Sequence, residues 1–389
     1  MKRFVVLALL LSGGVAPLVR AADAAPATHH VQAGAVNPKN PLAPYEYTAF
    51  YPSEIRIHAG DTVEWNVAFQ KSTDLAFHTV TFLGNNSVDR PHYARTDELP
   101  GTMAFNEATW ERSETCGEGT EATCVLANVG KRLSSGVLTL RVVPPPTFRV
   151  RFDLPVGRYR YVCAIHSPMV GVVNVVPPRV AVRDRSKADI AREIARDTAA
   201  ADALARKYST PRVSTVNGQR VWTVTMEPRV ANKHVSILGY FPGDLRVRAG
   251  DRVRWVTQGG EIHTVAFPDE SNQPPGVSFF PRCDPDDPAS GAPGVPYPGL
   301  DCPFGVPEVW MGPGLTETVR APDDAVVTEA TVHSSGIVAE VGGAAFSSTR
   351  ADGSRWPVEF DATFPVAGSF GYACQVHGEL PMVASVTVE

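Results

Sequence analysis

Two short stretches of this 389-residue chain gather metal-donor side chains. Tyr161 to Met169 reads YVCAIHSPM and holds a thiolate donor (Cys163), an imidazole (His166) and a thioether (Met169) within seven residues. The stretch YACQVHGELPM repeats the set as Cys374, His377 and Met382. Soft sulfur with imidazole selects copper, and two His with one Cys and a long axial Met form a type 1 copper site. Each loop lacks one His, and the candidates are His78 in FHTVTF and His263 in IHTVAF. A trigonal set with a weak axial ligand suits Cu(I) and Cu(II) about equally, so little rearrangement accompanies electron gain or loss. Fast one-electron transfer is the chemistry these residues predict.

The elements that must position these ligands are themselves repeated. FYPSEIRIHAGDTVEW matches YFPGDLRVRAGDRVRW at an offset of 190, with Ile55 and Ile57 on Leu245 and Val247, Gly60-Asp61 on Gly250-Asp251, and Trp65 on Trp255. Alternating apolar and polar residues on either side of Ala-Gly-Asp predict two half-buried strands joined by a turn. Such a match indicates an internal duplication. Later strands with Phe148, Val150 and Phe152, and with Val358, Phe360 and Phe364, lead into the Cys loops. The high Pro and Gly counts, 34 and 32, suit a turn-rich β protein. The expected fold is therefore all-β: two antiparallel β-sandwiches joined by a helical linker.

Ser186 with Asp189 forms a capping box, and Ile190, Ile194, Ala201, Leu204 and Tyr208 follow at helical spacing until Pro211. Asn217-Gly218 between two β-rich runs predicts a hairpin. The expected organisation is a signal peptide over residues 1–21, a flexible Ala/Pro-rich leader over 22–44, a first module over 45–178, the linker over 179–212 and a second module over 213–389.

Both modules resemble cupredoxins of the plastocyanin, pseudoazurin and amicyanin group. In that family an upstream His and a Cys, His and Met from one loop bind copper, which implies two type 1 sites here: His78, Cys163, His166 and Met169, and His263, Cys374, His377 and Met382. The first loop, Cys-x2-His-x2-Met, is similar to amicyanin, and the second, Cys-x2-His-x4-Met, to plastocyanin. The unequal loops predict sites of unequal potential. Thr79 and Thr264 follow the upstream His where the family often has an Asn that ties the ligand loops together. The resemblance also implies a redox partner protein. The loop His usually projects through an apolar rim in this fold, so Ile165, Pro168 and Val170, with Val376, Leu380 and Pro381, are expected docking patches.

Two alternatives remain beside the electron carrier. Paired domains of this kind also resemble copper nitrite reductases and two-domain multicopper oxidases, but such enzymes need further His ligands for a type 2 or trinuclear copper. Val162 and Ala373, not His, precede the two Cys, and no His-x-His occurs. A copper carrier is the other alternative, although six Met provide no Met-rich surface. Lys2 and Arg3, the apolar run 4–11 and the small residues Ala21-Ala22 read as a cleaved export signal, so the protein is expected in the periplasm or secreted, with no transmembrane span in the mature chain. Cleavage removes Lys2, Arg3 and Arg20, making the formal charge of −5 three units more negative and disfavouring nucleic-acid binding. In an oxidising compartment Cys116 with Cys124, and Cys283 with Cys302, are expected as local disulfides. His29 and His30 are expected to be solvated in the leader, and His58, His92, His234 and His333 to be surface or structural residues.

Overall fold

The computed structural model describes residues 25–40, 43–67, 77–85, 122–136, 147–164, 169–267, 357–374 and 382–389, with shorter pieces between them that include His166 and His377. The export signal and the Cys283–Cys302 pair lie outside the described residues.

Each half of the chain contains two facing sheets. In the first half, one sheet runs Thr123–Leu126, Phe148–Phe152, Thr62–Val67, Thr28–Ala33, Phe50–Tyr51, and the other Leu133–Ser134, Thr81–Phe82, Gly157–Val162, Val170–Val175, Glu54–Ile57. The second half repeats the plan around Arg252–Thr257 and Gly368–Ala373. Antiparallel pairs are interleaved with parallel ones, as where Val170–Val175 runs alongside Glu54–Ile57 and Val383–Val388 alongside Asp244–Val247. The architecture is thus a β-sandwich pair with a helical linker, and its sheets are mixed.

Alternation along each strand turns one side chain in two into the core. Trp65 lies with its ring centre 5.2 Å from Tyr161, 5.8 Å from Phe148 and 6.1 Å from Phe82. Trp255 repeats the arrangement at 5.3 Å from Tyr372, 5.8 Å from Phe360 and 5.7 Å from Phe267. These edge and tilted contacts bury large apolar area directly behind the Cys strands. The Ala-Gly-Asp turns need glycine, because Gly60 and Gly250 have φ of 90° and 86°. The Asp that follows accepts the backbone N–H at its own turn, Asp61 from His58 and Asp251 from Arg248.

Within the expected leader, residues 28–33 form a strand. Thr28–Ala33 pairs in parallel with Thr62–Val67 along its whole length, and Val31 and Ala33 are buried. His29 is buried too, its ring on Asp61 at 3.1 Å and Asp184 at 2.5 Å. Gln219–Met226 holds the equivalent place beside Arg252–Thr257. The sandwich therefore needs a strand upstream of residue 45 to complete its first sheet. Its short alternation within Ala/Pro-rich sequence had masked it.

The helix spans Lys187–Tyr208 with the expected capping box, and the hairpin turns at Asn217-Gly218 with φ of 51° and 82°. Ala201 of the helix packs with Tyr45, Tyr47 and Tyr51 of the first half and Val230, Val235 and Ile237 of the second. Asp197, fully buried, accepts from Tyr51 Oη at 3.0 Å and Asn232 Nδ2 at 2.7 Å and meets His234 Nδ1 at 2.9 Å. The helix is thus a staple between the halves. Burial opposes ionisation of Asp197, but His234, Tyr51 and Asn232 outweigh it and hold its carboxyl below the usual carboxylate range.

Replacing Asp197 by Ala leaves buried donors without an acceptor, so urea unfolding is expected to lose about 3 kcal/mol near neutral pH. The depressed carboxyl contributes above its unfolded pKa of about 4, and the contribution is lost as pH falls through the lower folded value. The gap between Asp197→Ala and the parent should therefore narrow in acid; a gap that does not change with pH would contradict this assignment.

Candidate metal centre

The first centre is built where two strand ends meet a tight loop. Phe77–His78 pairs with Leu138–Thr139, and Gly157–Val162 ends one residue before Cys163. The loop closes on itself: Met169 donates its N–H to His166 O, and Cys163 its N–H to Met169 O, at 3.0 and 2.9 Å. His78 Nδ1 and His166 Nδ1 lie 3.9 and 3.6 Å from Cys163 Sγ and 3.1 Å from each other. In the second half Cys374 Sγ stands 3.9 Å from His263 Nδ1 and 3.6 Å from His377 Nδ1, and Cys374 N–H bonds Met382 O at 3.0 Å. In each cluster all donor atoms lie within 4.8 Å of one another. Met169 and Met382 are buried in the same apolar clusters as their Cys partners. Six of the eight expected residues are thus brought together as two His/Cys/His sets.

Burial by itself would raise the Cys163 thiol, but the facing His166 and His78 hold it well below its ordinary range; His263 and His377 do the same for Cys374. Burial would lower His263, yet Cys374 and Glu227 push it up to about 10. Each centre therefore sets a more easily ionised sulfur beside two imidazole nitrogens, a donor set that fits a thiophilic cation such as copper. Neither cluster resembles a type 2 or trinuclear copper arrangement.

Around the sulfurs, Thr79 supplies the link expected of an Asn. Its N–H points at Cys163 Sγ at 3.3 Å, and its Oγ1 accepts the N–H of Ala164 at 2.6 Å, joining the upstream His strand to the Cys loop. Thr264 N–H lies 3.4 Å from Cys374 Sγ. A further support went unnoticed in the sequence. Ser135 and Ser335 each exchange bonds with the residue two after the upstream His, Oγ accepting from Val80 or Val265 N–H at 2.8 Å. The repeated Ser-Ser-Gly at residues 134–136 and 334–336 was the available signal.

Three carboxylates were also missed. Glu46 meets His166 Nε2 at 3.1 Å, and Glu227 meets His263 Nε2 at 3.0 Å while accepting the N–H of Gly260 and Glu261. A Cβ on Gly259 would sit 1.7 Å from the Glu227 carboxyl carbon, so glycine is required there. Glu261 is the third. Burial opposes ionisation of Glu46, but His166 brings it down to about 2, whereas burial sends Glu261 up to about 8. These contacts correct one expectation: His166 is 4% exposed and turned toward Glu46, so it does not project through an apolar rim. Ile165, Pro168, Val376, Leu380 and Pro381 lie outside the described residues. Of the other histidines, His58 bonds Val180 O and His234 bonds Asp197, both structural roles.

Cys116 and Cys124 form the expected disulfide, and Cys163 and Cys374 are free and buried. No helix among the described residues is long and apolar enough to cross a membrane. Unfolded, metal-free and unreduced protein is expected to titrate two thiols per chain with a disulfide reagent, and the folded protein to react much more slowly. A count of four would show Cys283 and Cys302 unpaired.

No protein-family model and no curated protein sequence matches the chain. Among solved structures it is similar to oxidised plastocyanin from Dryopteris crassirhizoma, at 14% identity and TM-score 0.20 over 43% of this chain and 99% of that one. It is also similar to a mutant of amicyanin in its reduced Cu(I) form, at 14% identity and TM-score 0.19 over 46% of this chain and 93% of that one.

Proposed function

We propose that the chain is an exported electron carrier holding one type 1 copper in each of two duplicated modules. The carrying observation is the convergence, twice, of one thiolate and two imidazole Nδ1 atoms within 4.8 Å, each time in a loop closed by a buried Met. Copper in such a set supplies a one-electron couple with little rearrangement. The residues of the chain supply the rest. His78, Cys163 and His166, with Met169, would hold the first ion, and His263, Cys374 and His377, with Met382, the second. Thr79 and the Ser135 and Ser335 hydroxyls hold the ligand strands in register, and the aromatic clusters behind each Cys keep the loops from relaxing.

A redox partner protein would exchange the electrons. The ring edge of His166 is covered, so exchange through the first loop would have to proceed past Glu46. His377 is the more exposed of the two loop imidazoles and is the better point of entry. The unequal loops and the different carboxylates, Glu46 on one ring and Glu227 on the other, support two separate potentials.

Copper-loaded, oxidised protein is expected to show an intense visible thiolate-to-Cu(II) band. Cys163→Ser and Cys374→Ser should each remove about half of it, and a redox titration of the parent should resolve two waves. A colourless loaded protein, or a variant that keeps all the colour, would overturn the proposal.

A further inference from the structure

The two clusters approach each other across the junction between the halves. Tyr45–Glu46 pairs with Ser236–Ile237, with Glu46 opposite Ser236. At the repeat offset of 190, Glu46 and Ser236 are the same position of the two copies. A local twofold relation therefore passes between them, and Glu46 stands on it facing His166. From the other half comes Glu261, two residues before His263. One ligand atom each of Glu46, His166 and Glu261 lies within 4.8 Å of the other two. Glu261 is 8% exposed, and its Oε1 is buried with no hydrogen-bond partner among the described residues.

Two carboxylates drawn together in a buried place repel each other, and an oxygen stripped of water without a partner is costly. Neither strand pairing nor the copper ligands require Glu261 there. Its own backbone N–H is already satisfied by Glu227, so the side chain is left to face the junction. His166 completes a different kind of set: its Nδ1 faces Cys163 and its Nε2 faces Glu46, so the two nitrogens can serve two centres.

We infer that Glu46, His166 and Glu261 form a third cation site, one that takes a divalent first-row ion such as Zn2+ on one nitrogen and two carboxylate oxygens. Three protein ligands leave a fourth position for water, and the ligand set is of the type such ions accept. Ligand distances of about 2.0–2.2 Å would draw the three atoms somewhat closer than they now stand, within the reach of two carboxylate side chains. Zn2+ displaces the proton on His166 Nε2 and any proton held by the two carboxyls, and those protons leave to solvent. The site joins the halves, one ligand from Glu261 and two from the first module. It stands independently of the copper reading above.

The test uses the full chain, loaded with copper and then incubated with Zn2+ and desalted. One Zn2+ per chain should be retained in addition to copper. Glu261→Gln should retain at least tenfold less at the same free Zn2+ while keeping its visible band. Glu46→Gln, read for Zn2+ retention alone, gives an independent check should the first variant fold poorly. No retained Zn2+ in the parent, or retention in both variants equal to the parent's, would overturn the inference. Zn2+ retained by a protein that never turns blue, and lost from Glu261→Gln, would support the cation site and count against the copper reading alone.

Discussion

The structure depends on holding each ligand-set sulfur against two imidazoles beneath an apolar floor. Cys163 and Cys374 are buried among aromatic rings, where an isolated charge would be expelled as a neutral thiol. Two imidazoles within 4 Å of each sulfur reverse that outcome. Because one of those imidazoles comes from about 85 to 111 residues away, the three-donor set forms only when the sandwich is assembled. Fold and donor set are therefore one problem. The Trp-centred clusters, the Ser and Thr bonds to the ligand strands and the loop closure at each Met all serve it.

Charge compensation then spreads outward. In each half one of the two imidazoles that face the sulfur on one nitrogen faces a carboxylate on the other, His166 with Glu46 and His263 with Glu227. Such partners fix ring orientation and raise ligand basicity. In the first half the carboxylate lies on the short strand that pairs with the second half, so the environment of one centre is set partly by the other module. The helix reinforces this junction by burying Asp197 and Ala201 between tyrosines of one half and apolar residues of the other.

Much of this was legible in the sequence because it was written twice. The eight donors, the Ala-Gly-Asp turns, the helix cap and the Asn217-Gly218 hairpin all carry local signals, and duplication separated signal from chance. What escaped was non-local. Thr28–Ala33 is a strand only because an exposed edge of Thr62–Val67 is there to receive it. Glu46, Glu227 and Glu261 look like ordinary surface acids, since nothing in their neighbours announces that a chain reversal or a second module will bury them. The Ser-Ser-Gly repeat was readable, but its meaning lies in a bond to a residue 55 or 70 positions away. The closed edge of His166 ran against expectation for the same reason: the covering residue belongs to the junction.

The central claim is that both His/Cys/His clusters hold copper, and anomalous diffraction from crystals of the copper-loaded chain, recorded on either side of the copper absorption edge, tests it most directly. Two copper peaks are predicted, one beside Cys163 between His78 and His166 and one beside Cys374 between His263 and His377. A copper peak at only one of these places, or at neither, would contradict the account.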